Sequence, residues 1–383
     1  MSVTAVPGFR ASGVTAGLKD SGRPDLALVV NDGPDRAAAG VFTRNRVQAA
    51  PVQWSRQVLT DGRVDAVVLN SGGANACTGP DGFADAHATA EHAAELLGCS
   101  AADVALCSTG LIGVRLPLDV LLAGLDKAVA SMSTDAGHDA AGAILTTDTV
   151  SKTAVTTGNG FTVGGMAKGA GMLAPGLATM LAVLTTDAVA DPAMLDEVLR
   201  AATARTFDRV DSDGCMSTND TVLLLANGAS GVTPADGALA EAVHSCCADL
   251  ARALVADAEG ASKDIAVEVT HAATEDDALE VARAVARSGL LKCAIHGEDP
   301  NWGRVLAAAG TTAAAFDPAR LAVAINGVQV CRAGAPGEDP ARVDMSDREV
   351  RVVVDLAEGQ ADATVWTNDL TAAYVHENSA YST

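Results

Sequence analysis

Aromatic residues are scarce in this chain of 383 residues: 6 Phe, 3 Trp and 2 Tyr. The core must therefore be built from Ala, Val and Leu, within a hydrophobic fraction of 49%. Basic residues are few as well, 26 Lys and Arg against 48 Asp and Glu, for a formal charge of −22. Nucleic-acid phosphates and anionic lipid surfaces both call for clustered positive charge, so the composition argues against either partner. An anionic small substrate would need a locally cationic pocket working against the global field. The hydrophobic content excludes wholesale disorder, and the length suits two or three domains or one large α/β body.

Other signals are also missing. None of the cysteines at 77, 99, 107, 215, 246, 247, 293 and 331 forms a C-x-x-C pair. The stretch Met1 to Arg10 has neither the basic nor the apolar region of a secretory signal, so the expectation is a cytoplasmic protein with free thiols. The longest uncharged run, Gly169 to Thr186, has 18 residues, but Pro175 and three glycines interrupt it. That composition rejects a membrane span.

What is present reads as α/β. Ala27–Val30 and Gly40–Phe42 are strand pieces. Val64–Leu69 runs into the small-residue loop Asn70 to Asn75, and a helical pattern from Ala84 to Leu97 closes on Gly98. Val104–Leu106 then leads into Ser108-Thr109-Gly110. Small-residue loops after strands are where α/β proteins bring backbone N–H groups to ligands. Asp191-Pro192 opens a helix, Thr221–Ala226 is a strand, and Leu239 to Leu254 is an amphipathic helix. Asn326-Gly327 between Leu321–Ile325 and Val328–Cys331 predicts a hairpin, and Glu349–Leu356 with Asp362–Trp366 predicts a second antiparallel pair. Lone strands and hairpins alternate with helices, so the sheets should be mixed.

The densest anomaly is Gly164 to Thr179. Gly169, Gly171 and Ala174 fit a dinucleotide-binding spacing, but Pro175 and Gly176 would spoil the helix that must hold the pyrophosphate. Another reading places glycine backbone close to a reacting centre, beside the cation Lys168 and the hydroxyl of Thr179. Internal Thr179 is a poor nucleophile. Cutting the Ala178–Thr179 bond would give it an α-amine of pKa roughly 7.7–8.0, a base within reach of its own hydroxyl. The plain structural alternative is a tight buried turn. Metal signals are weak: His296-Gly297-Glu298 lacks a following P-C-x-x-C, Arg209 interrupts the acidic group Asp208, Asp211, Asp213 and Asp220, and His87 with His92 reads as a polar helix face. Cys107 has no indicated histidine partner and reads as a packed hydrophobe.

The run Lys168-Gly169-Ala170-Gly171-Met172, then Pro175 and Ala178-Thr179-Met180-Leu181, closely resembles the ornithine acetyltransferase (glutamate N-acetyltransferase) family of arginine biosynthesis. Val41 to Arg46, Asn70 to Gly79, Ser108 to Gly113, Thr146 to Thr149, Asp257 to Ala261, Asp299 to Arg304 and Glu377 to Thr383 carry the same resemblance, in order, to the last residue. One departure is Gly176, where the family commonly has a polar residue.

The resemblance implies a four-layer α/β/β/α fold with helices outside two mixed sheets, as in ornithine acetyltransferases and the DmpA-type aminopeptidases. It implies self-cleavage between Ala178 and Thr179 into an α chain, 1–178, and a β chain, 179–383, that fold together and assemble as two α and two β chains. Thr179 would be the nucleophile, Thr109 and Gly110 the oxyanion hole, and Thr147, Lys168, Thr179, Glu259, Asn378 and Thr383 the substrate contacts. The implied substrates are N-acetylornithine and glutamate, with no metal or prosthetic group. Use of acetyl-CoA as a second donor stays open, as does the group that meets the glutamate side chain. The rivals are an N-terminal-nucleophile aminopeptidase of the same architecture and a dinucleotide-dependent oxidoreductase.

Overall fold

The structure is a computed structural model that describes residues 2–174 and 180–380. It divides into two compact units, one running up to Asp208 and including Cys215–Asp257, the other comprising Arg209–Gly214 and Ala258–Ser382.

Among the described residues the first unit holds two sheets. Strands β1 (Phe9–Val14), β2 (Leu26–Asn31), β4 (Ala66–Asn70) and β5 (Val104–Ser108) form one, in the order β1-β2-β4-β5. Strands β3 (Ala37–Phe42), β6 (Lys152–Thr157), β7 (Thr162–Lys168), β8 (Leu181–Thr186) and β9 (Thr221–Ala226) form the other, in the order β3-β9-β8-β7-β6. Both are mixed: β4–β5 and β8–β9 are parallel, and their other pairings are antiparallel. Helices α1 (Ala50–Val58), α2 (Gly79–Leu97) and α3 (Leu118–Ala130) cover the first sheet, α4 (Gly137–Ala143) packs on β1 and β2, and α5 (Pro192–Arg205) and α6 (Ala238–Ala256) cover the second. Two sheets inside two helical layers match the expected arrangement.

Strands β2, β4, β5, β8 and β9 are buried along their whole length, as strands covered on both faces must be. Alternation then sorts their side chains. A Cβ on Gly165 of β7 would meet Cys246 and Leu250 of α6, so its neighbour Met166, with Leu181 and Val183 on the same face of β8, points the other way, between the sheets. Lys168, two residues beyond Met166 on β7, shares that inner face. The strand therefore delivers a lysine to the interior at its last residue.

The second unit adds a third mixed sheet, beyond the two expected. It contains β10 (Asp264–Ala272), β11 (Ala322–Ile325), β12 (Val328–Arg332), β13 (Ala335–Pro336), β14 (Glu349–Asp355) and β15 (Ala361–Asn368), in the order β13-β12-β11-β14-β10-β15. Helices α7 (Glu275–Ala286), α8 (Gly289–His296) and α9 (Trp302–Ala309) lie with it, and α10 (Ala372–Ala380) follows. This sheet has its own apolar core, including Val267, Val323, Val352 and Val365.

Several expectations need correction. The two strands read as a second antiparallel pair, β14 and β15, are not partners: β10 lies between them, parallel to β14 and antiparallel to β15. A short connection favours a hairpin only when no third strand takes the place between. The segment from Gly164 is not a tight turn up to Lys168 but the body of β7. Helix α2 starts five residues before Ala84, because Pro80 fits its first turn, and Gly98 ends it in a left-handed conformation as read. Among the described residues no helix is long and apolar enough to cross a membrane.

Candidate active site

Parallel strands β4 and β5 end side by side, and their two small-residue loops close on each other. The Thr109 N–H donates to the Asn70 carbonyl at 3.0 Å, and Thr109 bridges to Gly73. Asn70 accepts from the Ser108 hydroxyl at 2.5 Å and donates to the Gly73 carbonyl at 2.9 Å. Asn219, just ahead of β9, ties both loops by donating to the Ala74 and Ser108 carbonyls at 2.6 and 2.8 Å. Gly110 has φ of +128°, and a Cβ there would stand 2.8 Å from the Gly73 nitrogen. Only glycine fits that close approach. No described group accepts from the Gly110 N–H.

Lys168 reaches this loop from the opposite sheet. Its Nζ donates to the Thr109 hydroxyl oxygen at 3.3 Å, and the two side chains are 2% and 5% exposed. Because the oxygen accepts from Lys168, the hydroxyl hydrogen remains available to a further acceptor.

A buried carboxylate fixes the lysine. Asp148 lies 3.9 Å from Lys168 Nζ, and accepts from Lys152 Nζ at 2.7 Å and from the Gly169 N–H at 2.6 Å. Lys152 in turn pairs with Asp257 at 2.5 Å. Burial alone would push the Asp148 carboxyl up, but the charges of Lys168 and Lys152 and these hydrogen bonds outweigh it and hold it at about 2. The same carboxylate accepts the Thr146 N–H at 3.1 Å, which fixes the half-buried Thr147 beside it.

Asp220 is different. Its carboxyl accepts the Met180 N–H at 3.1 Å while the Met180 carbonyl accepts the Thr221 N–H, also at 3.1 Å. Complete burial pushes this acid well above the usual carboxylate range, with the Met180 N–H, the Ser217 hydroxyl and Lys168 pulling the other way. The first described residue after the Ala178–Thr179 position is thus clamped by a fully buried carboxyl group that holds its proton more tightly than an exposed one.

The candidate site residues fall in both units. Thr109, Gly110, Thr147 and Lys168 belong to the first, where Lys168 meets Thr109 and both neighbour the Asp148 network. Glu259 and Asn378 belong to the second, where Asn378 Nδ2 donates to Glu259 Oε2 at 2.9 Å. Thr371 holds that pair together by donating to the Gly260 carbonyl at 2.6 Å and capping the N–H of Tyr374 at 2.9 Å. Ala178, Thr179 and Thr383 lie outside the described residues. Lys152 and Lys19 were not singled out from sequence, Asp148 entered only within the Thr146 to Thr149 run, and Asp220 only as part of a weak metal signal. Only the i, i+4 spacing of Asp148 and Lys152 could have hinted at a pair.

The other candidates have separate roles. His87 stacks on Trp54 and approaches Glu91, while His92 bonds Asp126, all on or beside α2. Asp211 pairs with Arg287 and His296 with Asp369 within the second unit. Burial pushes the Cys107 thiol up to about 12, which makes it a packed side chain rather than a nucleophile.

The ArgJ family model matches residues 10–383. The arginine biosynthesis bifunctional protein ArgJ of Streptomyces coelicolor is 69% identical over 382 residues, covering 100% of both chains. The protein of the same name in Thermobifida fusca is 64% identical over 383 residues, again covering 100% of both. Among solved structures, an ornithine acetyltransferase from Mycobacterium tuberculosis, complexed with ornithine, is 60% identical. It covers 47% of this chain and 96% of its own, with a TM-score of 0.45.

Proposed function

The chain belongs to the ArgJ family, and from that premise we propose that it moves an acetyl group from N-acetylornithine to glutamate in arginine biosynthesis. In this reading self-cleavage at Ala178–Thr179 frees the Thr179 amine. Thr179 Oγ attacks the acetyl carbon while the amine takes the hydroxyl proton. The C–N bond breaks, the proton passes to the leaving nitrogen, and ornithine departs. Glutamate's α-amine then attacks the acetyl-threonine ester, returns a proton to Thr179 Oγ, and leaves as N-acetylglutamate.

Each tetrahedral oxyanion takes a hydrogen bond from the Thr109 hydroxyl and another from the Gly110 N–H. The Thr109 N–H is already engaged with Asn70, so the side chain is the Thr109 donor. Such a donor contributes about 3–4 kcal/mol in acyl-transfer enzymes. Lys168 and Thr147 hold the substrate α-carboxylate, and Glu259, tied to Asn378, takes the side-chain ammonium of ornithine. Thr383 completes the substrate contacts. The assembly is two α and two β chains in the cytoplasm. The relatives' name, bifunctional, extends the proposal to acetyl-CoA as a second acetyl donor for glutamate.

The observation that carries the reading is the buried contact between Lys168 and Thr109, in a chain matched to the family over nearly its whole length. The test is acetyl transfer between N-acetylornithine and glutamate by the purified protein. N-acetylglutamate as product supports the proposal. Free acetate in its place, with glutamate present, points to the hydrolase rival.

A further inference from the structure

The loop Ala16–Lys19 is built around one carboxylate. Asp25 is fully buried and accepts the N–H groups of Ala16, Gly17, Leu18 and Lys19 at 2.6, 3.1, 2.6 and 3.0 Å. The loop packs on the oxyanion region: a Cβ on Gly72 would fall 2.3 Å from Leu18 Cβ, and Gly73 is what Gly110 abuts. Lys19 extends from this loop to the segment carrying Thr147, donating to the Leu145 carbonyl at 2.6 Å and to the Pro24 carbonyl at 3.1 Å. Arg23 donates to the next carbonyl, Thr146, at 3.4 Å.

An ammonium has three hydrogens, and two of those on Lys19 go to these carbonyls. No described carboxylate pairs with it. Asp25 attracts the ammonium but its oxygens are taken up by the four loop N–H groups, and Asp148 already serves Lys152 and Lys168. Lys19 and Lys168 repel each other, and burial with the charges of Arg23 and Lys168 lowers the Lys19 ammonium to about 8. Two of the three Lys19 hydrogens are taken by carbonyls and no described carboxylate lies within ion-pair distance, so the third is left for an acceptor on a ligand. With Lys168 beside the same oxyanion loop, two ammonium groups can meet a ligand with two carboxylates.

We infer that Lys19 is a specificity-determining residue that binds the side-chain carboxylate of the glutamate acceptor, while Lys168 binds its α-carboxylate. The assignment rests on the acetyltransferase reading above and deepens it. Ornithine brings an ammonium in place of that carboxylate, so Lys19 does not attract the donor's side chain. The two half-reactions therefore depend on Lys19 unequally.

The experiment compares the parent with Lys19→Met and Lys19→Arg. Acetylation of the enzyme by N-acetylornithine is followed by mass, and its discharge by glutamate or by glutamine is followed separately. Losing a charged hydrogen bond should raise the glutamate KM of Lys19→Met about 10- to 100-fold. Acetylation by N-acetylornithine should stay within about threefold, and the preference for glutamate over glutamine should collapse, with part of it restored in Lys19→Arg. An unchanged glutamate-to-glutamine ratio in Lys19→Met overturns the assignment, even if the variant is weakened overall. A parent that forms no acetyl-enzyme overturns the acetyltransferase reading, and the Lys19 assignment with it.

Discussion

Lys168 and Thr109 meet between the two sheets of the first unit, the ammonium donating to the hydroxyl oxygen at 3.3 Å with both side chains buried. The contact orients a hydroxyl that would otherwise rotate. Thr109→Ala should therefore lower kcat by about 10²- to 10³-fold, with the KM for N-acetylornithine changed far less. Thr109→Ser keeps the hydroxyl and should recover most of the rate. Steady-state kinetics that found serine and alanine equally poor would remove the hydroxyl from the oxyanion hole.

Asp148 makes the fold acid-sensitive. Its carboxyl is held at about 2, below the ordinary 3.8, so the stability it contributes is present above about pH 4 and is lost as pH falls toward 2. Asp148→Asn leaves buried Lys168 without that partner and Lys152 with Asp257 alone. A loss of about 3–5 kcal/mol at pH 7 is expected, from the cost of breaking a buried pair. Denaturant unfolding across pH should show the gap between parent and variant narrowing toward pH 2.

Asp220 acts with the opposite sign. Its acid is raised by burial, so the folded chain keeps this proton to higher pH than the unfolded chain does. The resulting penalty is absent below the ordinary carboxylate range and grows as pH rises above it. Asp220→Asn can still accept the Met180 N–H and carries no such penalty. It should be more stable than the parent at pH 7.5 and no more stable at pH 3.5. A variant less stable than the parent at pH 7.5 would mean that the buried group is charged.

Lys19 predicts a pH break in glutamate binding. Its ammonium, lowered to about 8 by burial and by Arg23 and Lys168, with Asp25 and Asp148 opposing, loses its charge as pH rises through that value. The glutamate KM should climb above about pH 8, while the KM for N-acetylornithine does not follow it. Lys19→Arg should flatten the rise, because a guanidinium stays charged there.

Local signals in the sequence located local structure. The Asn326-Gly327 turn, the Asp191 cap with Pro192, and the apolar runs of β2 and β9 all stand where they were read, because each depends on neighbours a few residues away. Strand order was not legible in the same way. Nothing within Glu349–Trp366 reveals that β10, some 80 residues earlier, separates β14 from β15. The loop of Thr109 and Gly110 and the cation Lys168 were visible as separate features, but their roles came from resemblance, and periodicity alone could not have brought together a loop after β5 and the last residue of β7. Asp25 and Lys19 gave no signal at all, since a carboxylate that gathers four N–H groups looks like any other aspartate in a sequence.

The central claim is that Thr179, freed by cleavage after Ala178, carries the acetyl group. Denaturing mass analysis of the purified protein beside Thr179→Ala, before and after addition of N-acetylornithine, tests it most directly. The account predicts two fragments for the parent, the second beginning at Thr179 and gaining one acetyl group, and a single unreacted chain for the variant. A parent that remains one intact chain and still transfers acetyl to glutamate would contradict it, because the free amine could not then be the base.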